Sequence, residues 1–465
     1  MNTLSDPTVW TSKKRVEMFK SSRKWAAVAG VATVSALALT ACAAQTPSTG
    51  EGTPGASTDA GSGTPVTIEY WHRLPSVEGA KTVDDMVAEW NKENPNIQVK
   101  ATALTGSAGE SYPKISAAVE AGNAPCLAQI GVDRVPDLLS TGQLLDVTEQ
   151  AAQYKDNYLE YAWGRTTFAG ATYGLPQDTG PLVMYYRTDL FKEYGIDVPT
   201  TWDEYKEAAK TVREKNPDAY IQAFLPDEAM WMMALSQAAG STFWNIESDA
   251  WKVAIDSPES QKVASYWQDL IDTDLVTNIP RWDPNFDKGL NEGTLVATIG
   301  ASWEAPLIAG SAPETKGNWG VAQLPAWDAA NPMVGEDGGS VVGVLKGCEF
   351  PAEALAFTDW LNTNTADLMP LGLFPATPAP ADGFATPEGL KEFFGGQDIY
   401  AEFSTANNNV NVNWSFSPTT GVTLTGLQDG MGKLAQDGAP LPELFKAAQQ
   451  ASVDSLKAAG INVTE

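Results

Sequence analysis

Histidine is almost absent from this chain: His72 is the only one in 465 residues. That leaves little room for an imidazole-based zinc site or a Ser-His-Asp triad. Cysteine is scarce as well, with three residues at positions 42, 126 and 348, which excludes a disulfide-dense mini-scaffold. Positive charge is in deficit, since 30 Lys and Arg stand against 58 Asp and Glu for a formal net charge of −28. Such a chain does not attract phosphate backbones, so nucleic acid is not an expected partner. No Walker loop, no Gly-x-Gly-x-x-Gly fingerprint and no internal repeat of about 20–50 residues is present, which removes support for nucleotide chemistry and for a solenoid. Gly338-Gly339-Ser340-Val341-Val342-Gly343 is one residue too long for a nucleophile elbow. Asp283, Asn285 and Asp287 open like a calcium loop, but Lys288 stands where glycine is required and Thr294 where the bidentate glutamate belongs. No metal or cofactor is therefore expected, while carboxylate pairs for glycoside hydrolysis stay open among 58 acidic residues, since their diagnostic is separation in space. What the chain has in excess is tryptophan, 16 residues, more than core packing alone calls for, and this points to a stacking surface.

The amino terminus sets the address. Lys13, Lys14, Arg15, Lys20, Arg23 and Lys24 precede an apolar run from Trp25 to Thr40, the charged and apolar regions of a secretory signal. The run is short for a membrane span. It ends in Leu39-Thr40-Ala41-Cys42, which resembles a bacterial lipobox, and this implies lipidation of Cys42 after removal of a signal peptide spanning 1–41. Met18 opens a tidier signal than Met1. Residues 42–65, dominated by Ala, Thr, Ser, Gly and Pro, cannot bury a core and read as a flexible tether. In the exported body Cys126 and Cys348 are the remaining cysteines, and export permits a disulfide. Whether they pair stays open, because sequence does not show proximity.

Beyond the tether, strand and helix patterns alternate. Val66-Thr67-Ile68-Glu69-Tyr70-Trp71 reads as a strand. Val83, Met86, Val87 and Trp90 mark one helical face, Asn94-Pro95 ends it, and Ile97–Ala101 alternates again, which makes a βαβ unit. Thr201-Trp202-Asp203-Glu204 has the spacing of a capping box, and a helix opening at Pro442 stops near Gly460. Such alternation predicts α/β domains with ligand contacts at strand ends.

Several blocks together resemble the extracellular solute-binding proteins of carbohydrate ABC importers, the family that includes maltodextrin-binding proteins. They are Ile68–His72 with Asn94–Val99; Lys114–Ala118 through Ala121–Pro125, then Asp133-Arg134 and Gly142–Asp146; Tyr173–Pro176 leading to Leu182–Phe191; Asn291–Ala297 with Ser302-Trp303; and Leu324-Pro325 before Gly338–Ser340. Cys126 departs from the family pattern, where aspartate usually follows the proline. The resemblance implies a two-lobed periplasmic-binding-protein-like α/β fold with a ligand cleft between lobes joined by crossing hinge segments. Lobe 1 would take 66–177 and 326–370, and lobe 2 would take 178–325 and 371–465. It further implies a monomeric, lipid-anchored receptor on the extracytoplasmic face of the cell membrane that hands a mono- or oligosaccharide to ABC permease subunits.

Residue chemistry agrees with this resemblance, because sugars stack apolar C–H faces on aromatic rings and need carboxylate, amide and guanidinium partners for their hydroxyls. By position in the resembling blocks, Trp303 and Trp414 are the expected stacking residues, with core packing as their alternative. Asn413, Glu304 and Gly339 flank them or the late glycine block. Trp71, His72 and Arg73 end the first strand, where crevice contacts are expected, although His72 reads equally as a neutral structural residue. Asp133 and Arg134 match a sugar-contacting pair or form a structural salt bridge. Gln177 and Asp178 lie at the crossing, and Asp227, Glu228 and Trp231 in a second-lobe stretch. Trp90, Trp202, Trp267 and Trp360 fall on helix patterns and are expected in the core. A secreted glycoside hydrolase, which needs two carboxylates at a scissile bond, and a surface glycan adhesin remain the alternatives.

Overall fold

The computed structural model describes residues 65–105, 108–247, 249–436 and 438–464. The expected signal segment, Cys42 and all but the end of the tether lie outside the described residues. No helix among the described residues is long and apolar enough to cross a membrane.

The helix Val83–Glu93 forms as its periodicity requires. Val83, Met86, Val87 and Trp90 face inward, and Thr82 and Asp85 close a reciprocal capping box at the start. Burial of each large apolar side chain contributes roughly 1.5–3 kcal/mol, and the Trp90 indole also donates to Ile97 O at 2.9 Å. The strands it connects, Val66–His72 and Ile97–Ala103, pair in parallel. Thr201 caps the helix Trp202–Lys215, accepting from Glu204 N. The Glu204 carboxylate accepts from Thr200 rather than from the cap itself, so the box is only half closed. The late helix spans Leu441–Ala458, and Gly460 follows it at φ +75°. Asp283 heads the helix Pro284–Glu292 and accepts from Asn285 N, a capping role that accounts for the calcium-like run.

Two sheets organise the molecule. The larger has six strands in the order Phe374–Pro375, Gly174–Thr179, Ser340–Val344, Leu127–Gly131, Val66–His72, Ile97–Ala103. Ser340–Val344 runs antiparallel to both its neighbours, so the sheet is mixed. The smaller is antiparallel, with Leu182–Arg187 between Ala297–Ala301 and Trp319–Gln323. One buried cluster, with Ile68, Tyr70, Met86, Leu127, Val342 and Phe357, backs the larger sheet. A second runs from the other side of that sheet, with Ile130 and Val341, into the smaller sheet and its helices, with Tyr185, Trp231, Trp267 and Ile299.

The chain passes from the larger sheet to the smaller through Gly180-Pro181, and returns through residues 334–339. The two passages are tied by Leu182 N to Gly335 O and Asp337 N to Gly180 O, both 2.9 Å. A Cβ at Gly180 would lie 2.6 Å from Asp337 O, so the passages approach this closely only with glycine there. Cys126 and Cys348 form a disulfide with Cα atoms 4.5 Å apart, which answers the question the sequence left open.

Candidate functional site

A cavity of 510 Å³ draws its lining from elements around both sheets, within the ~300–1,000 Å³ range of small-molecule sites. Its first wall begins where two parallel strands end. Arg73 follows Val66–His72, and Asp133 and Arg134 follow Leu127–Gly131, with Tyr112 from the helix Ala108–Ala121 and Gln129, Asp178 and Ser340 from the sheet itself. Glu228, Met230, Trp303 and Leu307 come from the second-sheet side, Asp337 to Gly339 from the return passage, and Leu74, Pro75, Leu371 and Leu373 add apolar surface.

Hydrogen bonds hold the first wall in register. Gln129 accepts from Arg73 N at 2.8 Å and donates to Gln177 Oε1 at 2.8 Å, and Gln177 donates to Asn362 Oδ1 at 3.0 Å. The Tyr112 ring lies 5.5 Å from the guanidinium of Arg73 and 5.5 Å from that of Arg134. Its hydroxyl accepts from Gly131 N at 2.9 Å. Arg134 pairs with Asp133 at 3.1 Å. Arg73 has no carboxylate within ion-pair distance among the described residues, and its Nε is buried without a partner.

The opposite chemistry prevails around Trp303. Its indole donates to Asp337 O at 2.7 Å. Behind it, Arg281 bonds Glu304 at 3.0 Å and Asp337 at 2.7 Å, stands 3.7 Å from Glu228, and donates its backbone N–H to Asp227 at 3.0 Å. Glu304 reaches Arg281 by folding back over Gly300, where any Cβ would collide with its carboxylate. Burial acts against the charge on Arg281, but Glu228, Glu304 and Asp337 outweigh it and hold the guanidinium protonated. Burial also raises the Glu304 carboxyl to about 7 and that of Asp178 to about 7, against the pull of Arg281 on the former and of the Ser340 hydroxyl on the latter. Glu228 is raised by burial in the same sense.

Of the residues expected from sequence, the cavity brings together Arg73, Asp133, Arg134, Asp178, Glu228, Trp303 and Gly339. Others lie one layer behind. Gln177 is buried beneath Gln129, and Asp227 and Glu304 serve Arg281. His72 is buried and stacked on Tyr70 at 5.4 Å, and Trp71 packs against the core; neither lines the cavity. Trp231 is 0% exposed and donates to Ile299 O, so it is a core residue. Trp414 is buried against Phe243, 4.7 Å between ring centroids, and Asn413 beside it is exposed away from the cavity. The tryptophan excess is itself mostly core: Trp202, Trp231, Trp244, Trp267 and Trp319 are all fully buried, and Trp303 is the tryptophan in the cavity lining. Sequence reading missed Tyr112, Gln129, Asp337, Ser340 and Arg281. Only Asp337 and Ser340 carried a signal, as neighbours of Gly338-Gly339.

These raised carboxyls make stability depend on pH. A group whose folded pKa exceeds its unfolded value stabilises fully below the unfolded value and ceases to do so as pH rises through the folded one. Asp178 and Glu304 at about 7, with Asp137 raised by burial to about 6, therefore withdraw stability between about pH 4 and 7. His72, lowered by burial to about 4, acts oppositely and withdraws stability as pH falls below about 6.5. Three carboxyls outweigh one histidine over the shared window, so the melting temperature is expected to peak near pH 4 and to fall by about a few degrees or more toward pH 8. Differential scanning fluorimetry of D178N should show a shallower alkaline decline; an unchanged slope would remove Asp178 from the account.

Comparison with known proteins adds identity to geometry. A family model described as bacterial extracellular solute-binding protein matches residues 75–367. The arabinooligosaccharide-binding protein of Halalkalibacterium halodurans is 27% identical over 254 residues, 53% of this chain and 56% of that protein, so the match spans just over half the relative's length. The maltooligosaccharide ABC transporter solute-binding lipoprotein of Streptococcus pneumoniae is 27% identical over 352 residues, 73% of this chain and 76% of that protein. Among solved structures, the galacto-N-biose-/lacto-N-biose I-binding protein of the ABC transporter from Bifidobacterium longum, in complex with lacto-N-biose, superposes with a TM-score of 0.82. It is 40% identical and covers 87% of this chain and 100% of its own. The ABC transporter associated binding protein from B. animalis subsp. lactis, in complex with β-1,6-galactobiose, gives 0.74 at 25% identity, covering 86% of this chain and 100% of its own.

Proposed function

This chain belongs to the bacterial extracellular solute-binding protein family, and on that premise we propose that it captures a short oligosaccharide in the cavity between its two lobes and delivers it to an ABC permease. The observation that carries the reading is the cavity wall itself, where the half-buried Trp303 indole offers a stacking face beside Asp133, Asp178, Glu228, Asp337 and the unpaired Arg73. An aromatic face ringed by fixed polar groups is the chemistry a saccharide demands. The ligands of the two structural neighbours favour galactose-containing disaccharides within that class.

The same reading makes the chain a receptor without catalytic activity, monomeric and anchored through lipid at Cys42. The binding set is Arg73, Asp133, Arg134, Asp178, Glu228, Trp303 and Gly339, with Tyr112, Asp337 and Ser340 added. The strand pairings support lobe borders near 180, 338 and 376 in place of 177, 326 and 370, because Phe374–Pro375 pairs with the larger sheet and Val334 bridges to Val410.

The test is a thermal-shift panel of galacto-, arabino- and maltooligosaccharides with product analysis. A ligand at 100 times its Kd stabilises by about 2.7 kcal/mol, so a true ligand raises the melting temperature clearly and is recovered intact. Cleavage of the sugar would favour a hydrolase. A panel with no shift would remove the carbohydrate reading.

A further inference from the structure

Arg281 does not line the cavity, yet two acidic side chains that do, Glu228 and Asp337, and the buried Glu304 behind them converge on its guanidinium. Glu228 precedes the helix Ala229–Ala238, Glu304 follows the strand Ala297–Ala301, and Asp337 belongs to the return passage. The guanidinium is 1% exposed and lies 5.7 Å from the centroid of the Trp303 ring, whose indole is bonded to the backbone of that same Asp337. We propose that Arg281 is the positioning residue of the site: it fixes the Asp337 carboxylate and the Trp303 ring as one rigid pair and thereby sets ligand affinity.

The geometry explains why arginine stands there. A planar fork satisfies Glu304 through Nη1 and Asp337 through Nη2 at once, while Nε faces Glu228. Nε makes no hydrogen bond to Glu228, so two carboxylates are held, and lysine, a point charge on a flexible stem, cannot hold both in fixed directions. Because Asp337 also donates its backbone N–H to Gly180 O, the clamp joins the second-sheet side to the passage itself. Asp337 and Trp303 therefore travel together in any movement of the lobes. Asp227 holds the Arg281 backbone from the other side, so every acidic group packed on the arginine is accounted for by Asp227, Glu228, Glu304 and Asp337.

The inference rests on the saccharide reading for its affinity readout, and a ligand-free readout separates the two. R281K retains the charge and is the main variant; R281M, which strands buried carboxylates, serves only as a folding limit. With a sugar that binds the wild type, R281K is expected to raise Kd at least tenfold and to make Kd vary between pH 6 and 8 more steeply than in the wild type, as the carboxyls lose their fixed partner. In a D337N background the same substitution should raise Kd by less than threefold, since the pair it serves is already broken. Without sugar, the near-UV circular dichroism difference between each parent and its W303F derivative reports the ring's environment, and R281K should collapse that difference. An unchanged Kd and pH profile, or an unchanged Trp303 difference spectrum, would overturn the proposal. If no sugar binds the wild type, the function fails while the spectrum still decides the role of Arg281.

Discussion

Trp303→Ala is expected to raise the Kd of the captured sugar by 30-fold or more, about 2 kcal/mol or above, as for a central aromatic anchor in a desolvated site. Trp303 is half-buried, with part of its surface turned to the cavity, and its Nε1 is bonded to Asp337 O, so the face that remains is available to a ring. The loss should fall on binding more than on folding. The control is Trp231→Ala, which empties a fully buried site next to Trp267, 4.8 Å between centroids. That change should cost about 3–5 kcal/mol of stability. Isothermal titration and urea unfolding on both variants separate the two roles. Retention of wild-type affinity by W303A would mean that the cavity's ring is not the stacking platform.

The contrast between these two tryptophans shows where sequence reasoning reaches its limit. Residues Val83, Met86, Val87 and Trp90 declare a helix because local periodicity and one buried face are the same fact. The crossing near 177 was expected from the resemblance of Tyr173–Pro176 and Leu182–Phe191 to family blocks rather than from any local pattern. A tryptophan carries no such local mark. Trp303 and Trp414 were the expected stacking residues and Trp231 a site candidate of the second-lobe stretch, and what separates the three is contact with Asp337, Phe243 and Ile299, partners 34, 171 and 68 positions away. Arg281 was invisible for the same cause. Its acceptors Glu304 and Asp337 lie 23 and 56 positions along the chain, and neither the Pro280-Arg281-Trp282 run nor its spacing distinguishes it from a solvated surface arginine. Tyr112 sits on a helix beside Pro113, where periodicity is broken. The strand-end rule, applied to Trp71, His72 and Arg73, brought only Arg73 to the cavity, while Asp133 and Arg134, named from the family resemblance, also stand at the end of a parallel strand there.

Removing the bridge between Cys126 and Cys348 should lower equilibrium stability by about 2–5 kcal/mol while leaving the Kd for sugar unchanged. The two cysteines flank strands that are already antiparallel neighbours, with Val344 opposite Leu127 and Leu345 N donating to Cys126 O at 2.9 Å. The folded ladder therefore survives without the bond. The unfolded chain is what changes, since the bridge closes a loop across a sequence separation of 222, and that loop contains the smaller sheet and both passages. Opening it restores conformational freedom to the denatured ensemble and gives the cavity no new contact to lose. C126S/C348S and the reduced wild type should thus unfold at the same lower urea midpoint, with reductant having no further effect on the double variant. Equal midpoints for oxidised and reduced wild type would show that the bond does not constrain the unfolded state. A Kd that rose with its removal would show that the larger sheet needs the bridge to hold Arg73 and Asp133 at their strand ends.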